Sequence, residues 1–330
     1  MRQLLFVLGA LASLVGGRLS FGQTTKPSLW TTRMYSYTRP AKLEVQESTP
    51  TADQINFYAR PRQLRAGEAS FGAGSAVGAP VQPVELGPVN VVRLAFKDPS
   101  GATVPTLLCT PKGRNAPFPV VIAVHGLHSN KAQVCGQLAP SLAAKGFAVL
   151  SPDMPLHGER PGSPSALFSK KDWLGAIAAH HQAILNIRQS IDLAETRKEL
   201  DTSRGVILAG YSMGSWLNSI VGPADDRVRA MVLMVGGATD SGPLVKAFPA
   251  LAAADPTQVL PHFKGRPLLL LNGRYDTTVT EDMAERLLAC APEPKEHRWY
   301  ECGHRLSDEA YEDAASWIAK TWRTLARGTD

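Results

Sequence analysis

The chain has 330 residues and a mass of 35.5 kDa, enough to bury a sizeable core as one large α/β domain with extensions or as two domains. Its composition, 44% apolar and 19% charged, is that of a soluble globular protein. The formal net charge of +6 is spread among acidic neighbours without a basic block or helix stripe, which argues against nucleic-acid binding.

The chain begins with the pattern of a secretory signal peptide. Arg2 is followed by an apolar segment at 4–16 and then by small and polar residues. This segment is too short to span a bilayer comfortably, so we predict that 1–23 is a cleaved signal peptide and not a retained membrane anchor. Its removal takes away Arg2 and Arg18 and lowers the formal charge from +6 to +4. The mature protein is then expected to be secreted or periplasmic.

Residues 24–90 are predicted to form an irregular N-terminal extension. The stretch is polar, and 66–88 is rich in glycine, alanine and proline, which disfavours both helices and strand interiors. We expect it to cover part of the main domain, 91–330. That domain is predicted to open with an antiparallel pair of strands, 91–96 and 103–109.

Strands and helices alternate through the rest of the chain. An apolar strand at 119–124 leads to a helix that Ser129 or Asn130 can cap, and a strand at 147–150 follows it. The later elements are predicted as helix 172–195, strand 206–209, helix 213–221, strand 228–235, strand 267–271, helix 281–290, strand 297–301 and helix 306–325. This alternation predicts an α/β fold with a mostly parallel central sheet and helices on both faces. Ligands of such sheets bind outside the carboxyl ends of the strands.

A sharp turn is predicted where strand 206–209 ends. Gly210, Ser212 and Gly214 form the G-x-S-x-G pattern of a nucleophile elbow, in which glycines relieve crowding at the bend and the serine oxygen projects. The pattern alone is a weak signal. The strand before it and the helix after it give it weight, so Ser212 is the candidate nucleophile.

Two further candidate residues follow predicted strand ends. A serine hydroxyl needs a base to take its proton and an acid to orient that base. His304 is the candidate base and Asp276 the candidate acid, so Ser212, Asp276 and His304 form a predicted catalytic triad in the chain order that the elbow requires. Asp240, which follows the preceding strand, is the alternative acid.

Backbone N–H groups are expected to hold the developing oxyanion, because such donors are fixed in advance. One should come from Met213, the residue after the nucleophile. The other should come from the loop after His125-Gly126, from Leu127 in the first place and from His128 in the second.

Three residues near these loops are candidates for substrate binding: His128, Tyr211 and His157. His157 lies in the loop 153–160, where it either braces the loop or touches substrate. Bracing is the favoured of the two roles.

Export would permit disulfide bonds among the four cysteines, Cys109, Cys135, Cys290 and Cys302. Cys290 ends a predicted helix and Cys302 follows the next strand, so we predict a Cys290–Cys302 bridge, with buried thiols as the alternative. Neither C-x-x-C nor H-E-x-x-H occurs, so the sequence offers no metal-site spacing, and no cofactor is predicted.

Together these motifs resemble the α/β-hydrolase superfamily over 91–327. The resemblance is carried by His125-Gly126, Asp153-x-Pro155-x-His157-Gly158, Gly210-Tyr211-Ser212-Met213-Gly214, Gly273-x-x-Asp276 and Gly303-His304, which look like the secreted esterase, dienelactone-hydrolase-like and prolyl-oligopeptidase-like branches. Dienelactone hydrolases use a cysteine nucleophile, so Ser212 favours esterase chemistry. Ser215 stands where a second glycine often follows such elbows.

The resemblance implies a serine hydrolase that cleaves carboxylic esters, of small molecules or polymers, through an acyl-enzyme. Two alternatives stay open. One is a prolyl-oligopeptidase-like peptidase, for which 24–88 is too short to supply the usual propeller domain. The other is a catalytically silent relative that binds a ligand. No nucleic acid or retained membrane anchor is expected as a partner, and the sequence does not determine the oligomeric state.

Overall fold

The computed structural model describes residues 33–40, 42–51, 87–168, 171–240, 242 and 249–327. The predicted signal peptide, 1–23, lies outside the described residues. So does most of the Gly/Ala/Pro-rich part of the predicted extension.

The described residues form ten strands and six α-helices. The strands are β1 (Val45–Ser48), β2 (Val89–Lys97), β3 (Thr103–Pro111), β4 (Phe118–Val124), β5 (Ala148–Pro152), β6 (Leu200–Asp201), β7 (Val206–Tyr211), β8 (Val228–Met234), β9 (Leu268–Gly273) and β10 (Lys295–Tyr300). The helices are α1 (Lys131–Ala144), α2 (Trp173–Glu195), α3 (Met213–Ala224), α4 (Pro256–Val259), α5 (Glu281–Cys290) and α6 (Asp308–Arg327). Short 3-10 helices lie at Pro164–Phe168, Pro249–Ala254 and Leu260–His262.

All ten strands join one sheet. Its order is β1-β2-β3-β5-β4-β7-β8-β9-β10, and the short β6 pairs with β4 outside this path. β1, β2, β3 and β5 are joined by antiparallel pairs, whereas every pair from β5 through β4, β7, β8 and β9 to β10 is parallel. The carboxyl ends of β4, β5, β7, β9 and β10 therefore meet at one edge of the sheet.

Helices cover both faces of this sheet. α2 and α3 pack on one core, and α1 and α6 pack on the other. Adjacent residues of β7, such as Leu208 and Ala209, enter opposite cores because side chains alternate along a strand, and both are fully buried. Burial on both faces explains the unbroken apolar runs in the sequence. The predicted fold class, a mostly parallel sheet between two layers of helices, is confirmed.

The two long helices α1 and α2 begin at side-chain caps. The Asn130 side chain accepts the Gln133 N–H at 3.0 Å ahead of α1, as predicted. The Asp172 side chain accepts the Gly175 N–H at 2.9 Å ahead of α2. Each cap satisfies an N–H that has no acceptor inside the helix. None of the helices within the described ranges combines the length and apolarity needed to cross a bilayer.

The described part of the N-terminal segment packs on the main domain. β1 pairs antiparallel with β2 at the end of the sheet. Tyr35 is buried in the core on the α2 face, and the Tyr37 hydroxyl donates to the carboxylate of Asp192 in α2. This segment therefore covers one side of α2 and extends the sheet by one strand.

The predicted Cys290–Cys302 disulfide is wrong, and all four cysteines are thiols. Cys290 ends α5 shortly before β10 begins, whereas Cys302 follows the far end of that six-residue strand. A strand of this length spans roughly 20 Å, and bridged cysteines need Cα atoms within about 7 Å of each other. Closeness in the chain was misleading, because the intervening strand is extended.

Candidate active site

Strand β7 turns sharply into α3 at Ser212. The Ser212 φ is 54°, a left-handed value that residues other than glycine rarely adopt, and its N–H donates to the Met234 carbonyl at 2.9 Å. A Cβ at Gly210 would lie 2.4 Å from the Gly214 carbonyl oxygen, and one at Gly214 would lie 2.1 Å from the Val124 oxygen. Both positions therefore require glycine, and the elbow geometry that the motif predicts is present.

Ser215, which stands where a second glycine often follows such elbows, stabilises the elbow through its hydroxyl. Its buried hydroxyl lies 2.8 Å from the carbonyl oxygen of Gly210 and 2.8 Å from that of Met234. A glycine could make neither contact. The departure from the usual pattern thus joins the start of α3 to β7 and β8.

His304 lies between Ser212 and Asp276. Its Nε2 is 3.0 Å from Ser212 Oγ, and its Nδ1 is 2.8 Å from Asp276 Oδ2. A carboxylate can only accept a hydrogen bond, so Nδ1 carries the proton and Nε2 is left to accept the serine proton. Side chains from the ends of β7, β9 and β10 thus meet in the arrangement that their chain order predicts.

Asp276, and not the alternative Asp240, holds the imidazole. The other carboxylate oxygen of Asp276 accepts the N–H groups of Thr278 at 2.7 Å and Val279 at 2.9 Å, and its side chain is fully buried. Asp240 is exposed, and its carboxylate accepts the Gly242 N–H at 3.2 Å. Asp276 is therefore fixed in place before any substrate arrives.

The loops that carry Asp276 and His304 pack backbone against backbone. A Cβ at Gly273 would lie 2.3 Å from the Gly303 carbonyl oxygen and 2.4 Å from that of Cys302. Only glycine permits this approach. Gly273 therefore allows the carboxylate and the imidazole to come within hydrogen-bond distance.

Tyr211 supports the His304 loop. Its hydroxyl donates to the His304 carbonyl at 2.5 Å and accepts the Leu306 N–H at 3.3 Å. Its ring meets the imidazole edge to face, with 6.0 Å between the centroids. These contacts give the Tyr211 hydroxyl a role in holding the loop, and substrate contact by Tyr211 stays a prediction.

The loop after β4 lies against the elbow. A Cβ at Gly126 would be 3.2 Å from the Tyr211 carbonyl oxygen and 3.5 Å from Ser212 Cβ, so the peptide between Gly126 and Leu127 is beside the serine. Met213 begins α3, and the first N–H groups of a helix have no acceptor inside it. Both predicted oxyanion donors thus flank the elbow.

The two histidines predicted to contact substrate differ in their surroundings. His128 is exposed on the loop after β4, with a φ of 60°. His157 is 1% exposed, its Nδ1 lies 2.8 Å from the Pro155 carbonyl oxygen, and its ring is 4.9 Å from that of His125. Burial lowers the pKa of His157 to about 3, so the ring is neutral at neutral pH. The Nδ1 contact agrees with the favoured bracing role of His157. Substrate contact by His128 or His157 stays a prediction.

The described residues around the elbow form a small apolar cavity. It lies between α2, α3 and the loop after β5, and its volume is about 10 Å³. Its walls include Met154, Pro155, Leu167, Ala183, Met213 and Leu217. Within the same described ranges, no group of three or more His, Cys, Asp or Glu side chains is placed to hold a metal ion.

Sequence reasoning missed an ion pair behind the loop after β4. Lys131 Nζ lies 2.6 Å from Asp153 Oδ2, and the two residues are 3% and 0% exposed. Asp153 opens a motif that the sequence did show, and Lys131 directly follows the helix cap Asn130. Neither the loop motif nor the position after the helix cap indicates that the two side chains meet.

The profile of the alpha/beta hydrolase family matches residues 121–328, more than half of the chain. The chain belongs to the alpha/beta hydrolase family. The matched stretch contains the Ser212 elbow, the Asp276 turn and the His304 loop. The geometry described above thus lies within the part of the chain that defines this α/β hydrolase.

Known proteins similar to this α/β hydrolase include Esterase YjfP from Escherichia coli (strain K12). The two are 27% identical over 242 residues, which cover 66% of this chain and 95% of the relative. Among solved structures, acetyl xylan esterase 1 from a Thermoanaerobacterium species aligns with a TM-score of 0.62 at 15% identity, covering 90% of this chain and 93% of that one. Acetyl xylan esterase from Paenibacillus sp. R4 aligns with a TM-score of 0.60 at 17% identity, covering 94% and 98%. At such identities the structural likeness shows the fold alone.

Proposed function

We propose that this α/β hydrolase is a serine esterase with Ser212 as nucleophile, His304 as general base and Asp276 as the acid that orients it. The observation that carries the proposal is the unbroken relay from Asp276 Oδ2 through the imidazole to Ser212 Oγ, with distances of 2.8 Å and 3.0 Å. The similarity to Esterase YjfP supports carboxylic esters as the substrate class.

Acylation begins when Ser212 Oγ attacks the ester carbonyl carbon and passes its proton to His304 Nε2. The Asp276 carboxylate stabilises the imidazolium that forms. The tetrahedral intermediate collapses as the bond to the alcohol oxygen breaks, and His304 gives its proton to that oxygen. The alcohol leaves, and the acyl group remains as an ester on Ser212.

Deacylation repeats these steps with water as the nucleophile. His304 Nε2 takes a proton from the water as its oxygen attacks the acyl carbon. The second tetrahedral intermediate releases Ser212, which recovers its proton from the imidazolium. The acid product leaves, and the relay returns to its starting protonation state.

The N–H groups of Met213 and Leu127 supply the proposed oxyanion hole. Met213 donates from the first turn of α3, and Leu127 donates from the loop that packs against the elbow. Both donors belong to the backbone of packed elements, so they need little rearrangement as charge develops on the carbonyl oxygen.

A fluorophosphonate probe is expected to label the protein at Ser212 and to abolish hydrolysis of p-nitrophenyl acetate in proportion to labelling. The probe reacts with a serine oxygen only where a base and an oxyanion hole activate it. Peptide mass spectrometry locates the label. Failure of the folded protein to react would favour the ligand-binding alternative, and a label on another serine would remove Ser212 from its role.

We assign the acyl group of the substrate to the small cavity beside Met213. The cavity volume is about 10 Å³, which is about the smallest volume that holds one water molecule. A methyl group is of comparable size, and apart from His180 the residues of the cavity wall are apolar. The cavity therefore supports acetyl esters over esters with longer acyl chains.

Leu167→Ala is expected to shift this preference towards longer acyl chains. Removal of the Leu167 side chain from the cavity wall should raise the kcat/KM ratio of p-nitrophenyl butyrate to p-nitrophenyl acetate about tenfold, the effect of one or two methylenes in an apolar pocket. The ratio is measured with both esters on the same enzyme preparation.

Leu193→Ala is the matched control for this shift. Leu193 is also fully buried, but it lies about 15 Å along α2 from the cavity residue Ala183. It should lower stability and leave the ratio unchanged. An unchanged ratio in Leu167→Ala as well would place the acyl group elsewhere.

A further inference from the structure

We propose that the buried ion pair between Asp153 and Lys131 positions the Leu127 N–H in the oxyanion hole. The inference rests on the proposed esterase function. The pair itself touches no reacting atom in the proposed reaction, so both members are positioning residues. Three sets of contacts support this role.

The first set holds the end of the loop after β4, where α1 begins. Asp153 Oδ1 accepts the backbone N–H of Lys131 at 3.0 Å, and Asp153 Oδ2 accepts Lys131 Nζ at 2.6 Å. Oδ2 also accepts the Glu159 N–H at 2.9 Å, and the N–H of Asp153 donates to the Pro105 carbonyl at 2.8 Å. The carboxylate thus joins the start of α1 to a residue that is itself anchored to β3.

The second set holds the beginning of the same loop. The Met154 N–H donates to His125 Nε2 at 3.0 Å. A backbone N–H can only donate, so this nitrogen accepts and the ring proton lies on Nδ1. Nδ1 then donates to the Gly126 carbonyl oxygen at 2.8 Å. Burial lowers the pKa of His125, which keeps the ring in this neutral form.

The third contact sets the direction of the proposed oxyanion donor. The Gly126 carbonyl and the Leu127 N–H belong to one planar peptide unit and point in opposite directions. Ser129 also donates its N–H to the Gly126 oxygen, at 3.2 Å. Whatever fixes that oxygen therefore aims the Leu127 N–H. Asp153 and Met154 are adjacent, so one short segment holds both ends of the loop.

Burial makes this arrangement sensitive to loss of charge. Asp153 and Lys131 are 0% and 3% exposed. A Cβ at Gly158, where φ is 59°, would lie 2.2 Å from the Asp153 carboxylate, so the following loop wraps closely around it. Lys131 Nζ also lies 2.7 Å from Glu159 Oε1, so loss of the Asp153 charge leaves the lysine with that one carboxylate partner. Asp153 in addition accepts the N–H groups of residues 131 and 159, and buried N–H groups that lose their acceptor are unfavourable. We therefore expect the loop to rearrange when the pair is broken.

Asp153→Asn is expected to lower kcat for p-nitrophenyl acetate about 10²-fold, the loss that follows removal or displacement of one oxyanion donor. KM should change by less than about threefold, because the donor acts mainly in the transition state. The amide keeps the shape of the side chain and removes its charge. Steady-state kinetics and a melting curve are measured on each variant.

Two further variants separate positioning from stability. Lys131→Met with Asp153→Leu replaces the pair by apolar side chains, a change that is commonly neutral or stabilising. Leucine cannot accept the N–H groups of residues 131 and 159, so kcat should stay about 10²-fold low. These unpaired N–H groups lower stability, and the apolar packing offsets part of that loss, so the melting temperature should fall no further than in Asp153→Asn. Asp225→Asn is the matched control, since Asp225 is a buried carboxylate paired with Arg188 and Arg227. It lies just before β8 begins, at the opposite edge of the sheet from the loop. It should lower stability without lowering kcat.

Each outcome decides the proposal. A kcat within about threefold of wild type in either folded variant at 153 would overturn it. So would failure of both 153 variants to fold while Asp225→Asn folds, since the pair would then be purely structural. Failure of the esterase proposal looks different, because wild type would then show no turnover, or Ser212→Ala would keep it.

Discussion

Ser212→Ala is expected to lower kcat for p-nitrophenyl acetate by at least about 10⁴-fold, with little change in KM. Alanine removes the oxygen that forms the acyl-enzyme, and His304 then has no hydroxyl from which to take a proton. The oxyanion donors on Met213 and Leu127 and the apolar cavity remain, so binding of the ester should be almost unaffected. Active-site titration and steady-state kinetics measure the loss.

Ser219→Ala is the matched control for this loss. Ser219 lies on the same helix, is fully buried, and bonds through its hydroxyl to the Ser215 carbonyl at 2.8 Å. It loses the same oxygen atom outside the relay, so kcat should stay close to wild type. If Ser212→Ala kept substantial turnover, another nucleophile would have to be sought. Equal losses in both variants would instead indicate a general defect of α3.

The relay could be predicted because the parallel sheet brings its three residues to one edge. Ser212, Asp276 and His304 each follow an apolar strand, and parallel strands end at one edge of the sheet. Local chemistry added the rest: glycines at the elbow and at Gly273 mark the places where backbones approach closely. Chain order alone then assigned the three roles.

The sequence could not indicate side-chain partners that are set by the tertiary fold, and the wrong disulfide is one result. Cys290 and Cys302 are near in sequence, but an extended strand separates them. Tyr211 stands beside the nucleophile, and the sequence did not indicate that its hydroxyl bonds to the backbone of the His304 loop. Motif position indicates that a residue is near the site. It does not show which atoms that residue will contact.

The contact between Asp153 and Lys131 is a second case that the sequence did not predict. Each residue had a local role that the sequence could suggest, one in a loop motif and the other at a helix start. Their contact depends on how the loops after β4 and β5 cross at the sheet edge, which no periodicity or spacing encodes. The pairing of β1 with β2 was also not predicted, because 40 residues separate the two strands in the chain.

Asp276→Asn is expected to lower kcat about 10⁴-fold, although it changes one atom and hardly any volume. The N–H groups of Thr278 and Val279 donate to Asp276 Oδ1. In the variant they would hold the amide oxygen at that position, so the amide NH₂ would face His304 Nδ1. An NH₂ donates, and Nδ1 must then accept, which moves the ring proton to Nε2. A protonated Nε2 cannot take the proton of Ser212.

Asp240→Asn is the control that separates the two candidate acids. Asp240 is exposed and accepts the Gly242 N–H of its own loop, so its variant should keep kcat within about twofold of wild type. The imidazole tautomer in Asp276→Asn can be read from the ring ¹⁵N chemical shifts, which distinguish a proton on Nδ1 from one on Nε2. A folded variant with kcat near wild type would show that another group orients the imidazole. A low kcat with the proton still on Nδ1 would keep Asp276 essential but require a different cause, loss of the negative charge that stabilises the imidazolium.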